Sequence, residues 1–379
     1  MIFLHVSDLH LGKRVNEFSM LDDQRDMLEQ FLSIVDNERP DAVLIAGDVY
    51  DKPVPPAAAV ELFDEFLSKL SQKQLPVFII SGNHDSAERL AFGARLMQES
   101  RVYFSKVYDG EIAPVTLTDE HGEVDVWLLP FLKPTHVRHA FDDDSIVTYT
   151  DAMRVAIAHL PLDPDRRNLL VTHQFVTGGE TCESEELSVG GSDNVDASVF
   201  DAFDYVALGH LHGAQHIGRD TIRYSGTPLK YSFSETHHHK SATVVTLGEK
   251  GNVTIRTVPF VPTHDMIEIE GTYDEVTARS FYENSPYRDA YLHVTLTDED
   301  DIPDAVGKLR VIYPLLMKLS YNNTRTKRDQ HIDAAEDVRR KDPLTLFAEL
   351  YERQNNQPMS DEQLDLMRRL IEEIGEVSE

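Results

Sequence analysis

Five short apolar runs in this sequence end in residues that bind metal ions, and this pattern constrains the fold more than any other. Each run consists of aliphatic or β-branched residues and is followed at once by Asp, His or Asn, often with a glycine just before. A buried strand that ends this way delivers its last side chain to one rim of a sheet. The side chains placed so are those of Asp8, His10, Asp48, Asn83, His173, His210 and His212. Their joint occurrence predicts a dinuclear metal site.

Each of these residues has a simpler explanation when it is considered alone. An Asp after a strand is usually a turn former or a helix cap, and a single histidine is more often a hydrogen-bonded core residue. For the whole set, that explanation needs five independent coincidences at strand ends. Elsewhere the simpler explanation holds. Residues 237–239 are three histidines in a polar loop, which we interpret as solvated, and Cys182 lies in an acidic loop and is interpreted as inert.

Strand-like and helix-like segments alternate from the start of the chain to about residue 261. Apolar residues recur at helical spacing between residues 21 and 35, before Pro40, and again between residues 60 and 70, after Pro56. Strands are predicted later in this region, and Gly251 forms a good turn between the last two. The alternation predicts an α/β fold with a two-layered sheet core flanked by helices, and with ligands on the loops at strand ends.

A proline-rich segment at residues 259–263 marks a domain boundary, and a small α+β unit follows it. In that unit we predict helices over residues 273–282 and 303–311, between strands. The polar residues that follow are interpreted as a linker. The predicted division is residues 1–262 for the catalytic domain, 263–321 for the small α+β capping domain, 322–341 for the linker and 342–379 for a helical C-terminal region.

Two capped helices are predicted in the C-terminal region. Asp342 is the N-cap of the first helix, directly before a proline, and Ser360 with Gln363 forms a capping-box pattern at the second. The second helix carries an apolar stripe that is equally compatible with packing on its own domain or on a partner. The stripe consists of Leu364, Met367, Ile371 and Ile374.

The composition limits the function less than the motifs do. The 66 acidic residues outnumber the 36 basic ones and give a net charge of −30, whereas a protein that binds DNA unaided normally has a basic surface. Bound cations or a basic partner would offset that charge, so composition neither favours nor excludes nucleic acid. No apolar run approaches the roughly 18 residues of a membrane span. A single cysteine excludes an internal disulfide and fits a cytosolic protein.

The types of the candidate ligands indicate the chemistry. Asp8 and His10 are two residues apart, so an extended segment points both side chains the same way. Asp48 has two oxygens and can bridge two cations, which a histidine cannot do. Mixed nitrogen and oxygen ligands without a thiolate suit Mn²⁺, Fe²⁺ or Zn²⁺ better than Ca²⁺ or Mg²⁺. Two such cations about 3.5–4 Å apart clamp the attacking and leaving oxygens of a phosphoryl transfer. The pattern therefore predicts metal-assisted hydrolysis of a phosphate ester.

His84 follows the candidate ligand Asn83 directly, and adjacent residues on an extended turn project differently. We therefore expect His84 to face the substrate, where it could stabilise the transition state or protonate the leaving oxygen. Asp85 is expected to orient the ring of His84 from behind, and Asp51 is a further candidate for a supporting role around the ligands.

The motifs together resemble the calcineurin-like metallophosphoesterase superfamily. The motifs that carry this resemblance are Asp8-Leu9-His10, Gly47-Asp48, Gly82-Asn83-His84-Asp85, His173 and Gly209-His210-Leu211-His212. Within the superfamily, the chain resembles the SbcD family, the nuclease subunits of bacterial SbcC–SbcD complexes. The segments that indicate this family are residues 7–12, 47–51, 172–176 and 225–235. The resemblance implies a four-layer α/β/β/α sandwich with a small α+β capping domain and a helical C-terminal tail.

The resemblance also implies an activity and its partners. It implies an Mn²⁺-dependent nuclease with 3′-to-5′ exonuclease activity on double-stranded DNA and endonuclease activity on single strands and hairpins, acting in repair, recombination and replication. It implies a homodimer joined to two copies of an SbcC-type, SMC-like ATPase as a heterotetramer, located in the cytoplasm with the nucleoid. By the same resemblance, Asp8, His10 and His212 hold one metal ion, Asn83, His173 and His210 hold the other, Asp48 bridges them, and His84 is the catalytic histidine.

Two other functions remain possible from the residues alone. The first is a dinuclear metallophosphoesterase that acts on small phosphodiesters, nucleotides or phosphoproteins, which the core motifs permit. The residue 174–176 and 225–235 segments and the C-terminal parts of the chain argue against it. The second is a scaffold without activity that holds an ATPase on DNA. Its expected sign is a missing ligand or a missing His84, and all of these residues are present.

Overall fold

The five apolar runs form strands, as the sequence predicts, in a computed structural model that describes residues 1–185, 193–300, 302–323, 342–355 and 358–377. The strands, in chain order, are β1 Ile2–Val6, β2 Arg14–Val15, β3 Phe18–Ser19, β4 Ala42–Ala46, β5 Val77–Ile80, β6 Val102–Phe104, β7 Val115–Asp119, β8 Gly122–Leu129, β9 Arg167–His173, β10 Tyr205–Gly209, β11 Gln215–Ile217, β12 Arg219–Tyr224, β13 Ser241–Leu247, β14 Val253–Pro259, β15 Met266–Gly271, β16 Tyr291–Leu296 and β17 Leu316–Tyr321.

Helices connect these strands, and several begin or end at the signals read from the sequence. The first helix ends where a left-handed Arg39 precedes Pro40. The second helix begins directly after Pro56. The helices, in chain order, are α1 Leu21–Glu38, α2 Ala57–Gln72, α3 Ala87–Leu90, α4 Ala94–Met97, α5 Pro134–Phe141, α6 Tyr149–Ala158, α7 Tyr273–Thr277, α8 Arg279–Tyr282, α9 Ala305–Ile312, α10 Pro343–Asn355 and α11 Asp361–Val377.

Two mixed sheets form the centre of the fold. The first has the strand order β14-β13-β1-β4-β5-β6, and the second has the order β11-β12-β10-β9-β8-β7. In the first sheet β1, β4, β5 and β6 are parallel to one another, and in the second β12, β10, β9 and β8 are parallel. The candidate ligands lie at the ends of five of these parallel strands, β1, β4, β5, β9 and β10. Parallel pairing therefore brings the carboxyl ends of these strands to one edge of each sheet.

The two sheets pack face to face, with helices on their outer sides. Phe3, Leu44 and Phe78 of the first sheet pack against Val126 and Val171 of the second. On the other face of the first sheet, the remaining strand residues contact the apolar faces of α1 and α2. In the second sheet, the alternate strand residues that point away from the first sheet are buried as well. The result is the four-layer α/β/β/α sandwich, because a strand buried on both faces needs a layer on each side.

The buried cation of Arg167 links the two sheets at the strand ends opposite the ligands. The guanidinium of Arg167, at the start of β9, donates to both carboxylate oxygens of Asp119 at 2.5 and 3.1 Å. It also donates to the carbonyl oxygens of Gly122 and of Gly248, which follows β13 of the other sheet, at 2.7 and 2.9 Å. The hydrogen bonds from Arg167 hold the pKa of Asp119 well below its usual range.

We expect Asp119→Ala to lower the free energy of unfolding by about 3 kcal/mol, because it leaves the buried cation of Arg167 without its anion. Since the pKa of Asp119 is lower in the folded chain, this contribution is present above about pH 4, the unfolded value, and is lost as the pH falls further. Urea unfolding at pH 7 and at lower pH measures both effects. Asp163→Ala, which removes an exposed partner of Arg166, should change stability by less than about 0.5 kcal/mol. Equal losses in the two variants would contradict the prediction.

A third sheet, β15-β16-β17, forms the small α+β unit with parallel strands. Its own core packs under α7 and α9. The predicted single helix over residues 273–282 is wrong in one respect: it breaks at Ala278, which is extended, and α8 follows. The break lets the ring of Tyr282 contact Tyr313 in the core of this unit. The unit also contacts the sandwich, because the hydroxyl of Tyr291 donates to buried Asp23 of α1 at 2.7 Å.

The C-terminal helices have the predicted caps. The backbone N–H of Thr345 donates to Asp342 at 2.9 Å. Ser360 and Gln363 exchange reciprocal hydrogen bonds as a capping box. Within this region, Gln363 of α11 donates to the hydroxyl of Tyr351 of α10 at 3.1 Å. The predicted linker lies outside the described residues from residue 324 onward. Over the described residues, every helix is too short or too polar to cross a membrane.

Candidate metal centre

The carboxyl ends of the parallel strands from both sheets meet at one rim, and the candidate ligands lie there. Gly209 pairs with His173 in the second sheet, which places His210 beside His173. The Nδ1 atom of His173 is 2.8 Å from the carbonyl oxygen of Ala46, the last residue of β4 in the first sheet. This hydrogen bond spans the two sheets and directs Nε2 of His173 into the cluster.

One group of donors consists of Asp8, His10 and His212. All three are buried, and one ligand atom from each lies within 4.8 Å of the others. The Nε2 atoms of His10 and His212 are 3.2 Å apart. The backbone N–H of His210 donates to both oxygens of Asp8 at 3.0 and 3.2 Å, so this carboxylate is held in place. The group can supply two nitrogens and a carboxylate to one cation.

A second group of donors surrounds the side-chain oxygen of Asn83. This oxygen is 3.0 Å from Nε2 of His173 and 2.9 Å from Nδ1 of His210. Asp48 lies between the two groups: its Oδ2 atom is 3.3 Å from Nε2 of His173 and 3.8 Å from Nε2 of His10. The structure thus brings all seven sequence-predicted ligands into one cluster, with Asp48 at the centre.

The donor atoms in this cluster fit a cation. Nδ1 of His173 donates to a carbonyl oxygen, so a neutral His173 presents a lone pair at Nε2. That lone pair faces the oxygens of Asn83 and Asp48, which only accept. The Nε2 atoms of His10 and His212 likewise face each other. Such acceptor-to-acceptor contacts are stable only when a proton or a metal ion lies between the atoms. Imidazole, carboxylate and amide donors together suit a borderline divalent cation.

The pKa values of the ionisable side chains in this cluster reflect their burial and their closeness to one another. Burial raises the pKa of Asp8 to about 6. Burial lowers the pKa of His210 to about 3. Burial also opposes the charged form of His173, but the carboxylates of Asp48 and Asp8 outweigh it and raise its pKa to about 9. For His212, the Cys182 thiol and the Glu235 carboxylate outweigh burial and raise the pKa to about 10. In the absence of metal, protons therefore occupy positions that a cation would take.

The glycines that precede the candidate ligands are required by space or by backbone conformation. A Cβ atom added at Gly209 would lie 1.9 Å from the carbonyl oxygen of Ala46, and one added at Gly82 would lie 2.0 Å from Oδ1 of Asp48. Gly47 has a φ of +89°, which side-chain-bearing residues rarely adopt. These glycines let the strand ends from the two sheets approach closely enough for the ligands to meet.

Several candidate ligands also have unusual backbone conformations. The φ angles of Asp8, His10, Asp48 and His210 are 55°, 45°, 49° and 108°. A residue with a side chain costs about 1–3 kcal/mol in such a sparsely populated region, and such residues cluster at functional sites. Four of the eleven described non-glycine residues with a positive φ are thus candidate ligands.

His84 lies at the more open side of the cluster. Its Nδ1 atom is 3.1 Å from the carbonyl oxygen of Asp51, and its Nε2 atom is 3.9 Å from Oδ2 of Asp48. Its side chain is 11% exposed, whereas that of Asp48 is 3% exposed. The carbonyl of Asp51 accepts the Nδ1 proton, which leaves Nε2 of His84 as the atom that faces the cluster.

Asp85 makes different contacts from those expected. Its carboxylate accepts backbone N–H groups of Val49, Tyr50 and Gly82 at 3.1, 2.9 and 3.0 Å. It therefore holds two ligand-bearing loops together, and the orienting contact to His84 comes from the Asp51 carbonyl instead. The carboxylate of Asp51 lies 3.8 Å from Nδ1 of His10.

Sequence reasoning missed the residues that support His212. The Nδ1 atom of His212 is 2.7 Å from the hydroxyl of Ser184, and its backbone N–H donates to Glu185 at 2.6 Å. Ser184 also contacts buried Glu235, which pairs with buried Lys240. The sequence feature that could have indicated them is the residue 225–235 segment. It was used to indicate the family, and no role was assigned to its last residue, Glu235.

No metal-binding role was assigned from the sequence to the histidines at residues 237–239 or to Cys182. His237 and His239 are exposed, in agreement with their interpretation as solvated, while His238 is partly buried near Lys240. Cys182 is closer to the site than its acidic loop suggested. Its sulfur is 3.0 Å from the hydroxyl of Ser184, and one ligand atom of Cys182 lies within 4.8 Å of His212.

Comparison with known proteins agrees with the fold and the cluster. Residues 1–214 match the calcineurin-like phosphoesterase family, and residues 262–355 match a family described as the type 5 capsule protein repressor C-terminal domain. The chain is thus a metal-dependent phosphodiesterase of the calcineurin-like class. It is 32% identical over 375 residues to SbcD, the nuclease of SbcCD from Staphylococcus epidermidis, with 98% of each protein covered. The chain belongs to this SbcD family of nucleases.

Solved structures of other phosphoesterases are more distant. A dimetal phosphatase from Danio rerio is 13% identical, with 68% of this chain and 95% of that chain covered and a TM-score of 0.42. Yfce, a phosphoesterase from E. coli, is 14% identical, with 65% and 88% covered and a TM-score of 0.28. Similarity at this level carries no information about the substrate.

Proposed function

We propose that this nuclease is Mn²⁺-dependent and acts on DNA, with 3′-to-5′ exonuclease activity on double strands and endonuclease activity on single strands and hairpins. It would process DNA ends in repair, recombination and replication. The observation that supports the proposal best is the convergence of carboxylate, amide and imidazole donors in one buried cluster, with His84 at its more open side. Mixed nitrogen and oxygen donors without a thiolate favour Mn²⁺ over Ca²⁺ and Mg²⁺.

The proposed ligands divide as the two donor groups do. Asp48 lies between the groups and is the proposed bridge. The two cations, when bound, would polarise the scissile phosphodiester and lower the pKa of a water nucleophile. One cation would be held by Asp8, His10 and His212, and the other by Asn83, His173 and His210.

His84 is proposed to hold the proton that the leaving oxygen needs. Because Nδ1 of His84 donates to the carbonyl oxygen of Asp51 in either charge state, the exchangeable proton resides on Nε2. Nε2 is also the atom that faces the cluster. A positioned acid of this kind contributes about 10²–10⁴-fold in rate. Asp51 and Asp85 are proposed to support the ligand loops through the contacts described above.

A nuclease assay with defined metals tests the function. The purified chain should degrade linear duplex DNA from its 3′ ends and cut hairpins with Mn²⁺, and activity should disappear after chelation and return with Mn²⁺. A chromogenic small phosphodiester is the comparison substrate. A chain that hydrolyses the small substrate and leaves DNA intact, alone and with its candidate ATPase, would instead be a phosphodiesterase for small substrates.

The partners are proposed on the same family membership. The named relative belongs to SbcCD, and we propose that this chain joins an SbcC-type, SMC-like ATPase and acts in the cytoplasm at the nucleoid. The ATPase would supply basic surface for DNA, since this chain has a net charge of −30. We also propose a homodimer within a heterotetramer. Phe92 and Leu96 are large apolar side chains, 83% and 77% exposed, that a second copy of the chain could cover.

The division into domains remains a proposal, with residues 1–262 catalytic, 263–321 contacting DNA, 322–341 a linker and 342–379 binding the ATPase. In the last region, Leu364, Met367 and Ile371 of α11 are partly buried, while Leu366 is 57% exposed. A short helix is marginal in water unless its apolar stripe is covered. The base of the ATPase coiled coil is the proposed cover.

Deletion of residues 342–379 should abolish co-purification with the ATPase while the Mn²⁺-dependent nuclease activity of the isolated chain persists. The physical reason is that the cores of the sandwich and of the small α+β unit are built from residues before 322. Pull-down and nuclease assays on the same preparations measure both effects. If the truncated chain binds the ATPase with parental affinity, residues 342–379 do not bind the ATPase. If the truncated chain unfolds, the apolar stripe of α11 belongs to the chain's own core.

A further inference from the structure

A series of hydrogen-bonded side chains leads from Lys240 to the proposed ligand His212. The ammonium of Lys240 pairs with Oε2 of Glu235. Oε1 of Glu235 is 2.5 Å from the hydroxyl of Ser184, which in turn is 2.7 Å from Nδ1 of His212. The side chains of Glu235 and Lys240 are 0% and 6% exposed. The Lys240–Glu235 pair therefore lies out of solvent, and the half-buried Ser184 links it to one proposed metal ligand.

The chemistry of the end groups determines the direction of every hydrogen bond in this series. Lys240 only donates, and an ionised Glu235 only accepts. The single hydroxyl proton of Ser184 is therefore used toward Glu235, because a carboxylate 2.5 Å away has no proton to offer. The Ser184 oxygen is then left to accept from His212. Consequently a neutral His212 carries its proton on Nδ1, which leaves the lone pair of Nε2 on the side of His10 for a metal ion.

The carboxylate of Glu235 is itself held in one orientation. Its Oε1 atom accepts the backbone N–H of Tyr231 at 3.1 Å, and its Oε2 atom accepts the hydroxyl of Thr227 at 3.3 Å in addition to Lys240. Lys240 donates further to the carbonyl oxygen of His212 at 2.9 Å. Residues of the 225–235 segment thus hold the carboxylate, and Lys240 connects it to the backbone of the proposed ligand.

We propose that Ser184, Glu235 and Lys240 are positioning residues that fix His212 in the tautomer with its proton on Nδ1, and so keep Nε2 ready to bind a metal ion. The proposal rests on the proposed role of His212 as a ligand. It assigns a function to the loop before residue 186, because Ser184 and Glu185 both contact His212 from that loop. It also gives a physical role to Glu235, the last residue of the segment that indicated the family.

Four variants separate this role from simple support of the loop. Ser184→Ala removes the acceptor of the Nδ1 proton. Glu235→Gln keeps the shape, but its amide oxygen is drawn to Lys240, so its NH₂ group faces Ser184 and reverses the direction of the hydrogen bonds. Ser234→Ala is the matched control, because the Ser234 hydroxyl also anchors the loop, accepting the backbone N–H of Glu183 at 3.1 Å, but lies outside the series. Ser184→Thr retains a hydroxyl and should restore most of the function.

Mn²⁺ binding is the first measurement, followed through the electron paramagnetic resonance signal of free Mn²⁺. Removing a partner behind a metal ligand typically costs about 10–100-fold in metal affinity. We expect losses of that size for one of the two cations in Ser184→Ala and Glu235→Gln, and affinity within about threefold of the parent in Ser234→Ala and Ser184→Thr. Parental Mn²⁺ affinity in Ser184→Ala, or an equal loss in Ser234→Ala, would overturn the proposal.

The second measurement does not require a metal. In protein labelled with ¹⁵N in the histidine rings, the Nδ1–H of His212 should give a slowly exchanging signal, assigned by its absence in His212→Gln. The signal should persist in Ser234→Ala and exchange rapidly in Ser184→Ala. Its absence from the parent would overturn the proposed tautomer. Its presence in a parent that binds no Mn²⁺ would uphold the hydrogen-bond series and refute the proposed metal function, so the two failures are distinguishable.

Discussion

Asp48→Asn should remove the bound divalent cations and the nuclease activity together. The carboxylate of Asp48 lies between the two donor groups, near His173 on one side and His10 on the other. An amide has no negative charge to hold two cations, although its oxygen can still accept the backbone N–H of His84, as Oδ1 of Asp48 does at 2.9 Å. We expect activity to fall about 10³-fold or more, at or above the scale observed when a main electrostatic contact to the transition state is lost.

Metal content by mass spectrometry and DNA cleavage with Mn²⁺ measure this effect on the same samples. Asp41→Ala is the matched control, because Asp41 precedes the same strand, β4, at the end away from the cluster. That variant should keep both cations and near-parental activity. Thermal unfolding distinguishes loss of metal from loss of fold. Full Mn²⁺ occupancy and normal turnover in Asp48→Asn would contradict the bridging role.

His84→Gln should lower the rate of DNA cleavage by about 10²–10⁴-fold while both cations remain bound. The reason is that Nε2 of His84 faces the cluster from its more open side, where it can donate a proton to the leaving oxygen. A glutamine can still hydrogen-bond but cannot transfer a proton. The effect should be much smaller on a nitrophenyl phosphodiester, whose leaving group is stable without protonation.

The comparison of the two substrates under saturating Mn²⁺ is the decisive measurement for His84. His121→Gln, on a turn beyond β7, is the control and should match the parent on both. Equal losses on DNA and on the nitrophenyl substrate would indicate that His84 stabilises the phosphate rather than protonates the leaving oxygen. A parental rate on DNA, or the loss of one cation, would mean that its role is misassigned.

The strands and their order along the chain could be predicted from the sequence because each is a short apolar run with a sharp polar end. The glycines before Asp48, Asn83 and His210 were visible as well, but their reason is tertiary. Gly209 must leave room for the carbonyl oxygen of Ala46, which belongs to the other sheet. A sequence shows that a residue is small, whereas only the folded chain shows what lies against it.

The supporting residues of the cluster could not be assigned from local sequence. Asp85 follows His84 directly, which suggested a contact between them, yet its carboxylate binds backbone N–H groups of two loops. Ser184 and Glu235 are 51 residues apart and meet behind His212 only in the folded chain. Pairings of this kind depend on loop conformation, which carries no periodic signal.

The sequence by itself determined the class of fold, the family and the set of candidate metal ligands, since strand patterns and ligand types are local properties of the chain. The tertiary structure decided which donors face each other, which ring nitrogen of His84 and of His173 points inward, and which buried groups support His212. These features depend on distances between segments that are far apart in the chain. Two sheets must meet at one rim before any of them exists.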